Sequence, residues 1–159
     1  MPPDAPRPGP PPLRPFGLIL HHDASWSHEG EPVLNRKLRK AFDQSVRYLM
    51  DEKKYVVQLG RFRGEIEIEE TGFFVRLFDP ETGAIALSDG TREILEIASL
   101  APSPIDGALL CTVKRDLIPE GLPARFMHAA HAELMNAVDP DAAPPALRLA
   151  GRLEILPEL

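Results

Sequence analysis

The chain lacks most of the residues that announce a chemistry. It has one cysteine, Cys111, among 159 residues, which excludes an internal disulfide and a structural zinc site made of thiolates. Aromatic residues make up only 6% of the chain, with a single tryptophan. No apolar run approaches the roughly 18 to 20 residues that a membrane span requires. Nor does a basic segment followed by an apolar core mark a secretory leader. Positive charge is in deficit, with 18 Lys and Arg against 24 Asp and Glu and a net charge of −6. Such a balance argues against nucleic acid and anionic membranes as partners. "LGRFRG" (Leu59–Gly64) has the glycine spacing of neither nucleotide fingerprint. The G-x-S-x-G elbow and the H-E-x-x-H helix are missing as well. These absences predict a soluble, cytoplasmic protein with no cofactor and no catalytic residues to name.

What the chain does have is proline, 18 residues of it. The opening "MPPDAPRPGPPPLRP" (1–15) is about half proline, so it can form neither a helix nor a sheet ladder and is expected as a disordered tail. "PGPP" and "PLRP", with Arg7 and Arg14 nearby, fit the P-x-x-P pattern of a proline-reading partner. The plainer reading is a solubilising tail. A second Pro/Ala-rich stretch, "DPDAAPPA" (Asp139–Ala146), reads as a linker before a short terminal strand, "LRLAGRLEIL".

Between them, residues 16–138 carry the patterning of a folded body. "GLILHH" and "WSHEG" alternate as strands around a two- or three-residue turn at Asp23–Ser25. Leu34, Leu38, Phe42, Val46 and Leu49 then recur at three- to four-residue spacing, which predicts a helix from Asn35 to about Asp51, capped by Asn35. Strands follow at "KYVVQLG", "GEIEIEE", "FFVRLFD", "AIALS", "TREILEI" and "ALLCTVKR". In "GEIEIEE" the isoleucines face one way and the glutamates the other, as in a sheet with one wet face. A second helix is expected over Leu122 to Val138, with Phe126, Ala130, Leu134 and Val138 on one side. Adjacent strands with few intervening helices favour an α+β fold of antiparallel sheets and two packing helices.

Several of these stretches carry a resemblance. "DASWSHEGEPV" (Asp23–Val33) resembles the D-G-[ST]-W-x-[HY]-x-G-x-P-[IV] hairpin of the bacterial domain-of-unknown-function family 1285, with Ala24 where that pattern has glycine. The helix beginning near Arg36 sits where the family has its first helix. "IEIEETGFFV" (Ile66–Val75) is similar to its I-x-V-E-D-A-P-F-V stretch, with Glu69 and Glu70 on the acidic pair and Thr71-Gly72 in place of Ala-Pro. "VKRDLIPEGLPARFMHAAHAELM" resembles its closing strand and helix. The resemblance implies two structurally related halves built on curved, clam-like sheets. It also implies a role in ligand sensing or signal transduction rather than an established enzyme activity.

The residues offer several candidate sites. "LILHHDASWSHEGEPV" (Leu18–Val33) holds three of the five histidines and the only tryptophan. With a short turn, His21 or His22 would stand opposite Trp26, on one face with His28. A metal-assisted hydrolase using His22, His28 and a carboxylate is one reading of that cluster, although no H-x-x-x-H spacing supplies further ligands. A structural hairpin with Trp26 as core anchor is the simpler one. His128 and His131, three apart on the second helix, are expected as surface neighbours. Cys111 lies in the apolar strand "ALLCTV", where a thiol is usually an inert buried hydrophobe.

The basic run "NRKLRK" (Asn35–Lys40) stands out in an acidic chain. It crowds four cations at a helix N-terminus, where the macrodipole disfavours each by a few tenths of a kcal/mol. A small anionic ligand or an acidic protein surface would explain that local cost. The leading expectation is therefore a non-catalytic ligand-binding or regulatory module. Its expected site is a groove between the sheets and the first helix, rimmed by Trp26, His28, Arg36, Arg61 and Arg63. A protein–protein adaptor acting through the proline tail is a third reading.

Overall fold

The computed structural model describes residues 14–159. Its first half consists of two three-stranded meanders joined by a helix. The first meander is β1 (Arg14–Leu20), β2 (Trp26–His28) and β3 (Glu31–Pro32); then come α1 (Arg36–Ser45) and the second meander, β4 (Val46–Leu49), β5 (Lys54–Leu59) and β6 (Phe62–Ile68). The meanders meet through a parallel pairing of β1 with β6, giving the order β3-β2-β1-β6-β5-β4.

The second half repeats this path. β7 (Phe73–Phe78), β8 (Ala84–Leu87) and β9 (Arg92–Ile94) form one meander, and β10 (Ala101–Pro102), β11 (Leu109–Val113) and β12 (Leu122–Phe126) form the other. Its first and last strands, β7 and β12, again pair in parallel at the centre of a six-stranded sheet. A 3-10 turn at Ile97–Ser99 takes the place that α1 has in the first half, and α2 (His128–Asn136) follows the last strand. The fold is thus α+β, with two related halves. Each sheet is mixed rather than purely antiparallel, because its two meanders meet through parallel strands, β1 with β6 and β7 with β12.

Two expected helices are shorter than their patterns imply. Asn35 caps α1 as expected, its side-chain oxygen accepting from the Leu38 N–H at 3.0 Å. The helix stops at Ser45, however, and Val46–Leu49 forms β4, pairing Val46 with Val57 and Tyr48 with Tyr55. Likewise Leu122–Phe126 is a strand, and α2 begins only at His128. The cause is arithmetic. Residues four apart share a face in a helix and also in a strand, so Leu38-Phe42-Val46 and Phe126-Ala130-Leu134 run across the boundary without breaking step. What decides Val46–Leu49 is the partner strand: Val46 is buried beside Val57, and the Tyr48 and Tyr55 rings lie 5.0 Å apart. Leu34 and Leu38, expected on the buried stripe, are exposed.

The opening hairpin also differs from expectation. Its loop runs from His21 to Ser25, closed by the His21 N–H donating to the Ser25 carbonyl at 2.9 Å. Leu20, not a histidine, therefore stands opposite Trp26, and Leu18 stands opposite His28. Asp23 holds the longer loop by accepting from the Ser25 N–H at 3.0 Å and its hydroxyl at 2.6 Å. The C-terminal stretch expected as a linker and one strand is a hairpin, β14 (Ala146–Leu149) and β15 (Arg152–Ile155), with β13 (Val138–Asp139) as a third strand. Leu147 is fully buried there. Most of the proline-rich tail lies outside the described residues.

One core spans both halves, running from Leu20, Trp26 and Phe42 through Phe73 and Phe74 to Phe126 and Leu134. At the crossing from β6 to β7, Gly72 leaves room for the Tyr55 ring: a Cβ there would sit 2.3 Å from that ring and force it to shift. Cys111 is buried in β11, and burial pushes its thiol up to about 12. Among the described residues, no helix is long and apolar enough to cross a membrane.

Candidate functional site

Positions 36, 39, 40 and 43 of α1 are spaced three and four apart, which places Arg36, Arg39, Lys40 and Asp43 on one face of the helix. That face forms one wall of a cavity of about 520 Å³. The opposite wall comes from the second half. Between Val75 and Leu77 the pairing of β7 with β8 shifts by a residue, leaving Arg76 at an irregularity in the ladder. Such a bulge re-aims a side chain out of the sheet, and here the Arg76 guanidinium donates to Asp43 at 2.6 Å. The Asp23–Ser25 loop and Met127 complete the lining.

Asp43 is the floor of this groove. It accepts from the Trp26 indole N–H at 2.8 Å as well as from Arg76. Burial pushes its carboxyl above the ordinary range, against the opposing effects of the indole and of Arg76 and Arg39. A carboxylate held at such a cost locks Trp26 and Arg76 in place. By contrast, among the described residues no carboxylate lies within ion-pair distance of Arg36, Arg39 or Lys40.

A smaller cavity of about 140 Å³ adjoins the groove, and Asp23 and Met127 line both. His22, Phe74, Arg125, Phe126, His128 and His131 face it. Its polar frame comes from the acidic pair at the crossing between the halves. Glu69 accepts from the Nδ1–H of His21 at 2.9 Å and from that of His22, and these two bonds hold its carboxyl below the ordinary range. Glu70 accepts from Arg125 at 2.8 Å and from the Ser103 hydroxyl. Arg125, itself buried, also donates to Asp106, whose carboxyl it holds down to about 2. Adjacent glutamates thus tie down one half each, Glu69 the first hairpin and Glu70 the strand β12.

The five residues expected at the rim are dispersed. Arg36 lines the groove. Trp26 is a core residue, 1% exposed, its ring tilted against Phe42 at 5.3 Å and its indole N–H used by Asp43. His28 opens onto a different, apolar cavity of about 290 Å³ lined by Leu18, Val33, Leu38, Phe42, Val57 and Leu59. Arg61 and Arg63 lie at the β5–β6 hairpin, with Arg63 opposite Gln58, and neither lines the groove. His22 and His28 accordingly face separate cavities. Among the described residues, no group of three or more His, Cys, Asp or Glu side chains could hold a metal ion.

Two solved structures share this architecture. One is a DUF1285 family protein from Silicibacter pomeroyi DSS-3, with a TM-score of 0.61, 17% identity, and coverage of 92% of this chain and 82% of that one. The other is a DUF1285 family protein from Shewanella baltica OS155, with a TM-score of 0.52, 16% identity, and coverage of 77% and 91%. This chain has the fold of the DUF1285 proteins. No protein-family model and no curated protein matches the sequence, so the likeness is one of fold.

Two departures from the DUF1285 pattern have visible consequences. Ala24 stands where the pattern has glycine, and its φ is +71°, in the left-handed region that glycine enters without strain. Gly72 stands where the pattern has proline, and the Tyr55 ring fills the space against it. Of the groove's cations, the α1 group is visible in the sequence as the run "NRKLRK". Arg76 is not, since a lone arginine in "FFVRLF" reads as an outward strand position and only the bulge brings it to Asp43.

Proposed function

We propose that this protein binds a small phosphate- or carboxylate-bearing anion in the groove between α1 and β7, as a non-catalytic ligand-binding or regulatory module. The observation that carries this reading is the convergence of Arg36, Arg39, Lys40 and Arg76 on one cavity in a chain of net charge −6. Only Asp23 and Asp43 oppose them in the lining, and Asp43 is already bonded to Arg76 and Trp26. Three cations near a helix N-terminus each cost a few tenths of a kcal/mol against the macrodipole. A bound anion converts that cost into charge-assisted hydrogen bonds, which arginine makes in bidentate geometry.

A thermal-shift titration with inorganic pyrophosphate tests the reading. Ligand at a hundredfold its dissociation constant adds about 2.7 kcal/mol, which raises the midpoint of a chain this size by roughly 5 to 10 °C. The Arg36→Ala/Arg39→Ala variant should keep its fold and lose the shift. An equal shift in variant and wild type would remove the groove from consideration.

A further inference from the structure

We propose that two copies of this chain form a two-fold dimer by pairing β15 (Arg152–Ile155) antiparallel with itself. The pairing joins two three-stranded sheets, each ordered β13-β14-β15, into one continuous sheet.

An open sheet edge presents unpaired N–H and C=O groups that recruit another strand unless something blunts them. The other edges of the three sheets are blunted. β3 (Glu31–Pro32) and β10 (Ala101–Pro102) are two residues long and hold a proline, and β13 (Val138–Asp139) is as short. On β4 the Arg47 guanidinium occupies the Val46 carbonyl at 2.8 Å. β9 (Arg92–Ile94) has three residues, and the carboxylate of its middle residue, Glu93, is tied to the Lys114 N–H at 2.9 Å. β15 has four residues and no proline, and it leaves Leu153 and Ile155 54% and 65% exposed.

The backbone of β15 sets which groups face the open side. Arg152 stands opposite Leu149 across a two-residue turn, and the Leu156 N–H donates to the Pro145 carbonyl at 2.9 Å. Hydrogen-bonded positions alternate along an antiparallel ladder, so Arg152, Glu154 and Leu156 turn their backbone groups toward β14. Leu153 and Ile155 turn theirs outward, free to pair.

That alternation, with the charges, selects one register. Opposite residues in an antiparallel ladder share the same hydrogen-bonding parity, so the two-fold axis passes through a residue, not between two. Centred on Arg152 or on Glu154, the pairing sets like charges face to face. Centred on Ile155, it pairs no opposite charges. Centred on Leu153, it places Arg152 of each copy opposite Glu154 of the other, twice. These are non-hydrogen-bonded positions across the new junction, where side chains approach most closely. Within its own chain, neither Arg152 nor Glu154 has an ion-pair partner among the described residues. The strand is therefore complementary in charge to a second copy of itself.

Sedimentation equilibrium of the full chain over a range of concentrations tests the pairing. Wild type should show a reversible monomer–dimer equilibrium. Arg152→Glu alone and Glu154→Arg alone should each weaken the dimer at least tenfold, because each sets like charges opposite one another at both positions. Mixing the two variants in equal amounts should restore the dimer, and so should the Arg152→Glu/Glu154→Arg exchange within one chain. Recovery on mixing reports the register itself, since a misfolded chain is not repaired by adding another. A wild type that stays monomeric overturns the proposal. So does a dimer indifferent to both charge reversals, or one that the mixture fails to restore.

Discussion

The two halves follow one strand path and differ in what is placed between the strands. In the first half the connection from third to fourth strand is the ten-residue α1, and in the second it is the three-residue 3-10 turn at Ile97–Ser99. That difference carries the electrostatics with it. In the second half, Lys114 is bonded to Asp89 at 2.6 Å and lies over the Phe73 ring, Arg115 is bonded to Glu96, and Arg125 to Glu70 and Asp106. In the first half, the α1 cations Arg36, Arg39 and Lys40 have no such partner among the described residues. The repeat supplies a frame, and the inserted helix supplies the charge. A site is expected where the halves differ, not where they agree.

The largest test of that contrast is to break the second half's buried pair. Glu70→Ala leaves Arg125 with Asp106 alone and should cost about 3 kcal/mol in urea denaturation. Single Ala substitutions of Arg36, Arg39 or Lys40 should fall within about 0.5 kcal/mol of wild type, as exposed charges do. Equal costs in the two groups would erase the distinction between structural and functional cations.

Next comes the crossing between the halves. Gly72→Ala drives a Cβ against the Tyr55 ring, which is itself packed between Tyr48 and Phe73. Overpacking of that kind should cost about 2 kcal/mol, and pairing it with Tyr55→Leu should recover part of the loss. No recovery in the double variant would mean that the backbone, not the ring, sets the demand for glycine. A gain should come from the first hairpin instead. Ala24→Gly relieves a left-handed conformation and should stabilise by about 1 kcal/mol, read as a higher melting midpoint.

How much of this was legible in the sequence follows the physics of each signal. Alternation in "GEIEIEE" gives a strand with a wet and a dry face, as found in β6, where Ile66 is buried and Glu67 exposed. The cap at Asn35 is a local event, and it was readable. Where apolar residues lie four apart, at Phe42-Val46 and Phe126-Ala130, the pattern fits helix and strand equally, and only pairing with β5 or β11 decides. The loop at His21–Ser25 depended on Asp23 bonding to Ser25, which shifted the register away from a histidine opposite Trp26. The groove was half legible: the α1 cations form a run, whereas Arg76 owes its place to a bulge that brings it to Asp43 from far along the chain.

The smallest effect is expected from pH. Arg125 holds Asp106 at about 2, below its ordinary 3.8. The stability this bond contributes is complete above the ordinary value and is lost as pH falls from about 4 through about 2. Glu69, lowered by His21 and His22, acts in the same direction. Asp106→Asn should therefore flatten the acid limb of a stability–pH profile and leave its neutral-to-alkaline shape alone. An unchanged acid limb would mean that the exposed carboxylate contributes nothing measurable.

The most direct measurement is a calorimetric titration of pyrophosphate into wild type and into the Arg36→Ala/Arg39→Ala variant, side by side at low salt. The groove account predicts saturable heat in the wild type, and at least a tenfold weaker affinity in a variant whose melting midpoint has hardly moved. Saturable binding of equal affinity in both proteins, or no binding in the wild type, would contradict it.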